Sequence, residues 1–373
     1  MGVGAEQQIH GILARYGVSP GAVVRPHGGG HINASYRVSR SGLASGGDLL
    51  LQRLNPVVFK DGGAVMRNLA RVSAQLERAV ALTGLSDPDR RVLRLIPTLR
   101  DEPAVLAADG AWWRLFHFIS GARMLDRVED PGQAREIGAA FGLFHRLVAG
   151  YAGPPLEVSL PGFHDTGARL AAFEETLRRN PLTRASMVAE EVRFVRERRA
   201  LAELLEPVLG RQPARIVHND AKPSNVLLDE ETGAGLAVVD LDTVMPGSVL
   251  HDVGDLIRSA SSPASEDETD LARVRAEPSL FLALASGFLS AGGPGVLDAM
   301  ELEHFVAAGL VITYEQGIRF LGDYLAGDVY YRIATPSHNL DRARVQLRLL
   351  ASLESMRGDL ERTIADLTHS LGN

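Results

Sequence analysis

The chain has 373 residues, 45% of them hydrophobic, and a formal net charge of -7. That length is too great for a typical single compact unit and suits two lobes, and the negative balance argues against a general nucleic-acid or anionic-membrane surface. There is no cysteine, which excludes disulfides, thiolate metal sites and a cysteine nucleophile. Met1 to His10 shows no basic region followed by an apolar run. No stretch approaches the ~20 apolar residues of a spanning helix. The expected setting is the cytoplasm, with no membrane partner.

In chain order, Gln8 to Tyr16 predicts a short helix stopped by Gly17. Val23 to Val38 predicts two strand-like runs around Gly28-Gly29-Gly30-His31-Ile32-Asn33, with Tyr36 and Val38 alternating with polar neighbours. The three glycines fit a plain hairpin or a turn whose N–H groups approach phosphate. No Gly-Lys-Ser/Thr follows, so it is not a Walker loop. Leu49 to Leu54 is the next strand, and alternation puts Gln52 and Arg53 on opposite faces. Asp61 to Ala81 predicts a helix, because Val65, Met66, Leu69, Val72, Leu76 and Val80 recur at three- and four-residue spacing. Glu77 is the only acid in its interior. Arg91 to Leu99 and Ala111 to Ile119 predict two strands joined at Ala108-Asp109-Gly110. The second is aromatic on both faces and should be central.

From Asp130-Pro131 the pattern turns helical, with Asp130 as cap and Pro131 in the first turn. Ile137, Phe141, Phe144 and Leu147 form its buried face, with His145 close by as a core histidine. Phe173 to Arg179 and Ala185 to Leu209 also read as helical. Ala214 to Val217 then predicts a short buried strand, and Leu236 to Asp240 a second that ends on a carboxylate. Between them lies His218-Asn219-Asp220-Ala221-Lys222-Pro223-Ser224-Asn225. Phosphoryl transfer needs this set. One carboxylate accepts or orients the proton of the attacking hydroxyl, while an amide oxygen and another carboxylate hold Mg²⁺ against nucleotide phosphates. Asp220 fits the first role, and Asn225 and Asp240 fit the metal ligands. Lys222 could neutralise the migrating charge, and Asp242 fits either a second metal contact or a brace.

The order His-x-Asp-x-x-x-x-Asn followed by a strand-terminal Asp parallels the protein-kinase catalytic loop. Beyond it, Asp252 and Asp255 sit at the positive end of a helix opened by His251, as caps or braces. Pro278 to Ala291, Leu302 to Leu325 and Asp341 to Leu371 predict three further helices. A strand-rich first portion and a helix-rich remainder predict an α+β chain of two unequal lobes, 1–120 and 121–373, with the ligand in the cleft.

The segment His218 to Asn225 resembles the catalytic loop of the aminoglycoside phosphotransferase and choline kinase superfamily, although many relatives have His-Gly-Asp where this chain has His-Asn-Asp. A finer likeness is to the N-acetylhexosamine 1-kinase branch. It rests on Gly29-Gly30-His31-Ile32-Asn33, Leu51-Gln52-Arg53-Leu54-Asn55, Asp240-Leu241-Asp242-Thr243-Val244-Met245-Pro246-Gly247, Gly254 to Arg258, Arg319 to Leu325 and His338-Asn339-Leu340. The resemblance implies a bilobal protein-kinase-like fold, ATP and Mg²⁺ as cofactors, and a hexose phosphorylated on its anomeric hydroxyl. It implies that Gly28, Gly29 and Gly30 cover the phosphates and that a strand cation pairs with them. Arg53 is favoured over Gln52 for that cation on charge, with Glu77 as its helix partner. It implies a purine-binding hinge at His117 and Phe118. The implied sugar contacts are Asp220, Arg319 and Tyr330, with His31 and Asn33 in reach.

Other readings stay open. A metal-dependent hydrolase could use His218, Asp220, Asp240 and His251. The chain could be a kinase-like nucleotide-binding module without turnover, or a kinase of another small alcohol, such as an aminoglycoside or choline-like acceptor.

Overall fold

The computed structural model describes residues 3–28, 32–39, 47–211 and 213–372. Its first portion comprises α1 (Val3–Ala14), β1 (Val23–Pro26), β2 (Ala34–Ser39), β3 (Leu49–Arg53), α2 (Gly62–Thr83), β4 (Leu95–Ile96), β5 (Val105–Leu106) and β6 (Trp112–His117). The strands form an antiparallel sheet in the order β1-β2-β3-β6-β4, with β5 also on β6. Side-chain alternation gives the sheet two buried faces. Leu49, Leu51, Trp113 and Leu115 pack on Ile9, Ile12 and Leu13 of α1. Phe116, backed by Leu50, packs on the other side with Met66, Leu69 and Val72 of α2. Asp61 caps α2 by accepting from the Ala64 N–H at 2.9 Å, which satisfies one of the donors left free at a helix start.

The second portion is helical around small sheets. It comprises β7 (Ala122–Arg123), α3 (Pro131–Ala149), α4 (Thr166–Arg179), α5 (Ala189–Glu197), α6 (Glu206–Leu209), β8 (Arg215–Val217), β9 (Val226–Asp229), β10 (Gly235–Val238) and β11 (Met245–Gly247). Then follow α7 (Val249–Ala260), α8 (Pro278–Gly292), α9 (Ala299–Glu303), α10 (Phe305–Ala326), α11 (His338–Ser355) and α12 (Arg357–Ser370). Helix α10 is apolar on nearly every face and correspondingly buried, as a central helix must be. Helices α3 and α8 touch backbone to backbone. A Cβ at Gly138, Gly142 or Gly287 would collide with a main-chain oxygen of the facing helix. The absence of side chains there sets the closeness of the crossing.

Several expected elements are shorter or broken. The strand expected from Arg91 to Leu99 is only Leu95–Ile96, paired with Phe116 and Leu115 of β6, while the side chains of Arg91 and Arg94 reach the Gly235 carbonyl and Asp89. The helix expected from Leu302 to Leu325 is divided at His304, and the one from Asp341 to Leu371 at Met356. The segment Ala185 to Leu209 is two short helices linked by 3₁₀ turns. Among the described residues, no helix is long and apolar enough to cross a membrane.

Candidate active site

Strand β8 delivers the chain into the loop 218–225, and the β9–β10 hairpin carries it back to Asp240. Three buried groups hold the loop open. His218 lies edge-on to Phe141 and Phe144, with centroids 5.4 and 6.0 Å away. Its Nε2 meets the Val239 carbonyl at 2.9 Å, and its Nδ1 accepts the Asp220 N–H at 3.3 Å. The tautomer protonated on Nε2 satisfies both bonds. Asp252, fully buried on α7, accepts the N–H groups of His218 at 2.8 Å and Asn219 at 2.6 Å. Its other neighbour is His145 Nε2, at 2.9 Å. Burial pushes the Asp252 carboxyl up, but the His145 contact and the His218 bonds outweigh it and hold the carboxyl below its ordinary value. Asn219 has φ +63°. Glycine and asparagine enter that left-handed region most readily, so the conformation accounts for Asn219 where glycine is the usual occupant. Its side-chain amide also donates to the Thr243 carbonyl at 3.0 Å.

The loop brings together four of the expected residues. Lys222 Nζ lies 2.7 Å from Asp220 Oδ2, and the two side chains are 34% and 29% exposed. Asn225 Nδ2 donates to the Asp220 carbonyl at 2.8 Å and to its carboxylate at 2.9 Å. Burial alone would raise the Asp220 carboxyl, yet the Lys222 charge and hydrogen bond, helped by His218 and Asn225, hold it at about 2. Lys222 is correspondingly held above the ordinary lysine range by Asp220 despite its burial. Asp240 goes the other way. Burial and the charges of Asp242 and Asp220 push its carboxyl up to about 6, against the opposing charges of Lys222 and Arg114. Its backbone is left-handed, with φ +61°, so a strained residue presents a carboxylate to a site already crowded with negative charge. A bound cation would relieve that crowding.

A magnesium ion fits this donor set. Asn225 gives its amide nitrogen to Asp220, which leaves the amide oxygen for a ligand, and Asp240 adds a hard carboxylate. Among the described residues, no three histidines or acids surround a metal by themselves. Mg²⁺ suits such a sparse set, since it takes one or two carboxylates and completes its shell with water and phosphate.

The strand cation is differently placed from the expectation. Arg53 points to the α1 face, where its Nη2 meets Asp109 at 3.0 Å, and it does not join this cluster. Glu77 is exposed and accepts from Ser73 on its own helix. Gln52 lies on the α2 face of β3, in register with Arg114 on β6. Arg114 is 1% exposed. Its Nε and Nη2 donate to Gln52 Oε1 at 3.1 and 2.9 Å, and its Nη1 donates to Asp242. Asp242 also accepts from Asn33 Nδ2 at 2.5 Å, and Asn33 Oδ1 in turn accepts the Asn55 N–H at 3.0 Å. Asp242 thus clasps the turn before β2 and the central strand to the metal loop. Arg114 is a residue of this cluster that reading the sequence missed, and Gln52 is the alternative that it set aside in favour of Arg53. The available signal was an arginine in the middle of an otherwise apolar central strand.

Of the residues expected to meet the nucleotide, Gly28 is exposed at φ +71°, with open space where a Cβ would stand. Gly29, Gly30 and His31 lie outside the described residues. Phe118 carries the Arg37 guanidinium at 4.5 Å and His27 edge-on at 5.1 Å. The N–H groups of His117 and Phe118 already donate to the carbonyls of Arg94 and Asp48, so those two amides are not free for a purine.

Within reach of the Asp220 charge, Arg319 of α10 lies between the rings of Phe163 and Tyr331, 5.5 and 5.8 Å from their centroids, and donates to Gln316 at 3.1 Å. Burial works against its charge, but Tyr331, Glu315, Tyr330 and Asp220 together raise its pKa. Tyr330 is 58% exposed, edge-on to Tyr331 at 4.8 Å. Asp323 fixes this pair by accepting the N–H groups of Val329, Tyr330 and Tyr331 at 2.9 to 3.0 Å. Asn339 Nδ2 bridges Asp323 and Asp328, at 2.9 Å each. The C-terminal motif residues therefore build the platform on which Tyr330 stands. Below it, His164 joins Glu315 at 2.9 Å to the Asn219 carbonyl at 3.0 Å. Both partners are acceptors, so the imidazolium satisfies them best.

An antiparallel sheet over α2, joined to a helical portion whose loop carries Asp220, Asn225 and Asp240, defines an α+β chain of the kind seen in aminoglycoside phosphotransferase and choline kinase structures. Residues 23–280, well over half of the chain, match the phosphotransferase enzyme family, and the chain belongs to it. Three solved structures share the fold. An aminoglycoside phosphotransferase from Alicyclobacillus acidocaldarius is 15% identical at a TM-score of 0.59, covering 94% of this chain and 96% of that one. A spectinomycin phosphotransferase in complex with ADP and spectinomycin is 13% identical at 0.54, covering 97% and 98%. A choline kinase from Cryptosporidium parvum is 13% identical at 0.54, covering 98% and 99%.

Proposed function

We propose that this chain is a cytoplasmic, ATP-dependent kinase whose acceptor is the anomeric hydroxyl of an N-acetylhexosamine or a related hexose. Its two lobes, 1–120 and 121–373, would close on the nucleotide. The observation that carries the kinase reading is Asp220, kept ionised by Lys222 and Asn225 beside a second carboxylate, Asp240, that needs a cation.

A carboxyl held at about 2 is a weak base. Asp220 therefore orients the acceptor hydroxyl in line and takes its proton late, as a loose phosphoryl-transfer transition state allows. Lys222 offsets the charge that moves between nucleotide and acceptor. Asn225 and Asp240 would hold Mg²⁺, which when bound would supply charge neutralisation of the phosphate oxygens. His218 and Asp252 hold the loop so that Asp220 keeps its aim.

Support for a neutral polyol comes from the acceptor side. Arg319 puts a fixed positive charge there, flanked by Phe163 and Tyr331. It repels a cationic acceptor and donates to hydroxyl or acetamido oxygens. Exposed Tyr330 offers a ring face to a sugar. The test is ADP release with Mg-ATP against N-acetylglucosamine, N-acetylgalactosamine, plain hexoses, choline and an aminoglycoside, repeated on Asp220→Asn. Turnover with an N-acetylhexosamine, lost in the variant, is the expected result. Turnover only with choline or the aminoglycoside would overturn the sugar assignment and keep the kinase. Phosphate-ester cleavage without ATP would overturn both.

A further inference from the structure

We propose that Arg114, on the central strand β6, is the side chain that grips the nucleotide phosphates, held in place by Gln52 and Asp242. The assignment rests on the kinase reading above and goes beyond it, since it moves the phosphate cation from β3 to β6.

The argument begins with cost. A guanidinium almost wholly removed from water loses several kcal/mol of solvation, and one carboxylate repays that only with good geometry. An apolar residue would serve the surrounding strand, whose neighbours are Trp113, Leu115 and Phe116. Geometry then gives the charge a direction. Among the described residues, three of the five N–H donors of Arg114 meet Gln52 and Asp242. The anchors come from opposite sides, one from the sheet and one from the metal loop, so the guanidinium is fixed where the two meet. Its charge reaches Asp240, the proposed metal ligand. Asn33, from the turn before β2, closes the same cluster through Asp242. The fork is thus set between Asn33, just before β2, and the proposed metal site, where nucleotide phosphates must lie for Asp220 to reach the terminal one.

Two other cations of the sheet are engaged elsewhere. Arg53 is on the α1 face with Asp109. Arg37 shares the face of Gln52 but is tied to Asp48 and lies over Phe118, two register pairs away. Asp242 takes the part that a helix carboxylate would otherwise play, which explains why Glu77 is left exposed on α2.

The test is calorimetric titration of the wild-type protein, Arg114→Met and Arg114→Lys with Mg-ATP, Mg-ADP and adenosine. Adenosine lacks phosphates, so its affinity reports an intact purine pocket, separately from any phosphate contact. Loss of charge-assisted hydrogen bonds should cost Arg114→Met about 10- to 100-fold in ATP and ADP affinity, with adenosine affinity unchanged. Arg114→Lys keeps the charge without the fork and should fall between. If Arg114→Met does not fold and binds no adenosine, the lysine variant decides alone. A wild-type ratio of ATP to adenosine affinity in a folded variant would overturn the assignment and leave the kinase reading standing. A wild-type protein that binds neither ATP nor adenosine would overturn the kinase reading, and this assignment with it.

Discussion

Asp252 offers the most direct test of how the catalytic loop is held. Its carboxylate is the acceptor for two consecutive backbone N–H groups, at 2.8 and 2.6 Å, in a place with no solvent exposure. Asp252→Ala strands both donors, and each buried unsatisfied group costs ~1–3 kcal/mol. The expected loss is therefore ~2–6 kcal/mol, a large share of the ~5–15 kcal/mol that holds a typical protein folded. Asp252→Asn keeps the shape and one acceptor oxygen, but turns an NH₂ toward the second amide. Roughly half the loss follows from the same principle. Urea denaturation followed by far-UV circular dichroism measures both, with the midpoint and slope read separately. Because the folded Asp252 carboxyl sits below its ordinary value of 3.8, its contribution is complete above that value. It fades as pH falls through the folded value, so acid should close the gap between wild type and Asp252→Asn. A loss of less than ~1 kcal/mol in Asp252→Ala at neutral pH would refute the reasoning, since it would mean that water or a backbone shift replaces the carboxylate at little cost.

Other consequences are open to measurement. His164 is raised above its ordinary value because the charge and hydrogen bond of Glu315 outweigh burial, while at Glu315 burial is overcome by His164, Arg319 and Thr166, which hold the carboxyl at about 2. The pair should stabilise fully between the ordinary glutamate value of 4.5 and the ordinary histidine value of 6.5, weakening as pH rises through the higher folded value of His164 or falls toward 2. A His164→Gln variant should lose the alkaline dependence in a pH series of urea midpoints. Gly142→Ala forces a methyl group against the Phe288 carbonyl and should cost ~1–3 kcal/mol by overpacking α3 on α8; an unchanged midpoint would show that the helices separate freely. Asp323→Ala frees the three N–H groups that position Tyr330 and Tyr331. It should raise the acceptor KM about 10- to 100-fold through misplacement and leave the ATP KM within a factor of about two.

Much of this site is legible in the sequence because its central part is local. Asp220, Lys222 and Asn225 lie within six residues, and chain geometry alone keeps them together once the flanking strands form. Apolar periodicity likewise located α2 and α3, the latter with its Asp130 cap, because side-chain repeat and capping chemistry are written in neighbouring residues. Alternation also established that Gln52 and Arg53 face opposite ways. It could not say which face meets Asp242, since that depends on α1 packing on one side of the sheet and α2 on the other. The clasp of Arg114 with Asp242 joins residues 128 positions apart, and His164 reaches Glu315 across 151. Charge suggested Arg53 and Glu77, whereas the fold spends Arg53 on Asp109 and leaves Glu77 at the surface. The sequence by itself determined which chemical groups the catalytic loop carries. Only the tertiary structure decided which distant charges stand beside them, because burial and pairing of a charge are properties of packed elements and not of chain neighbours.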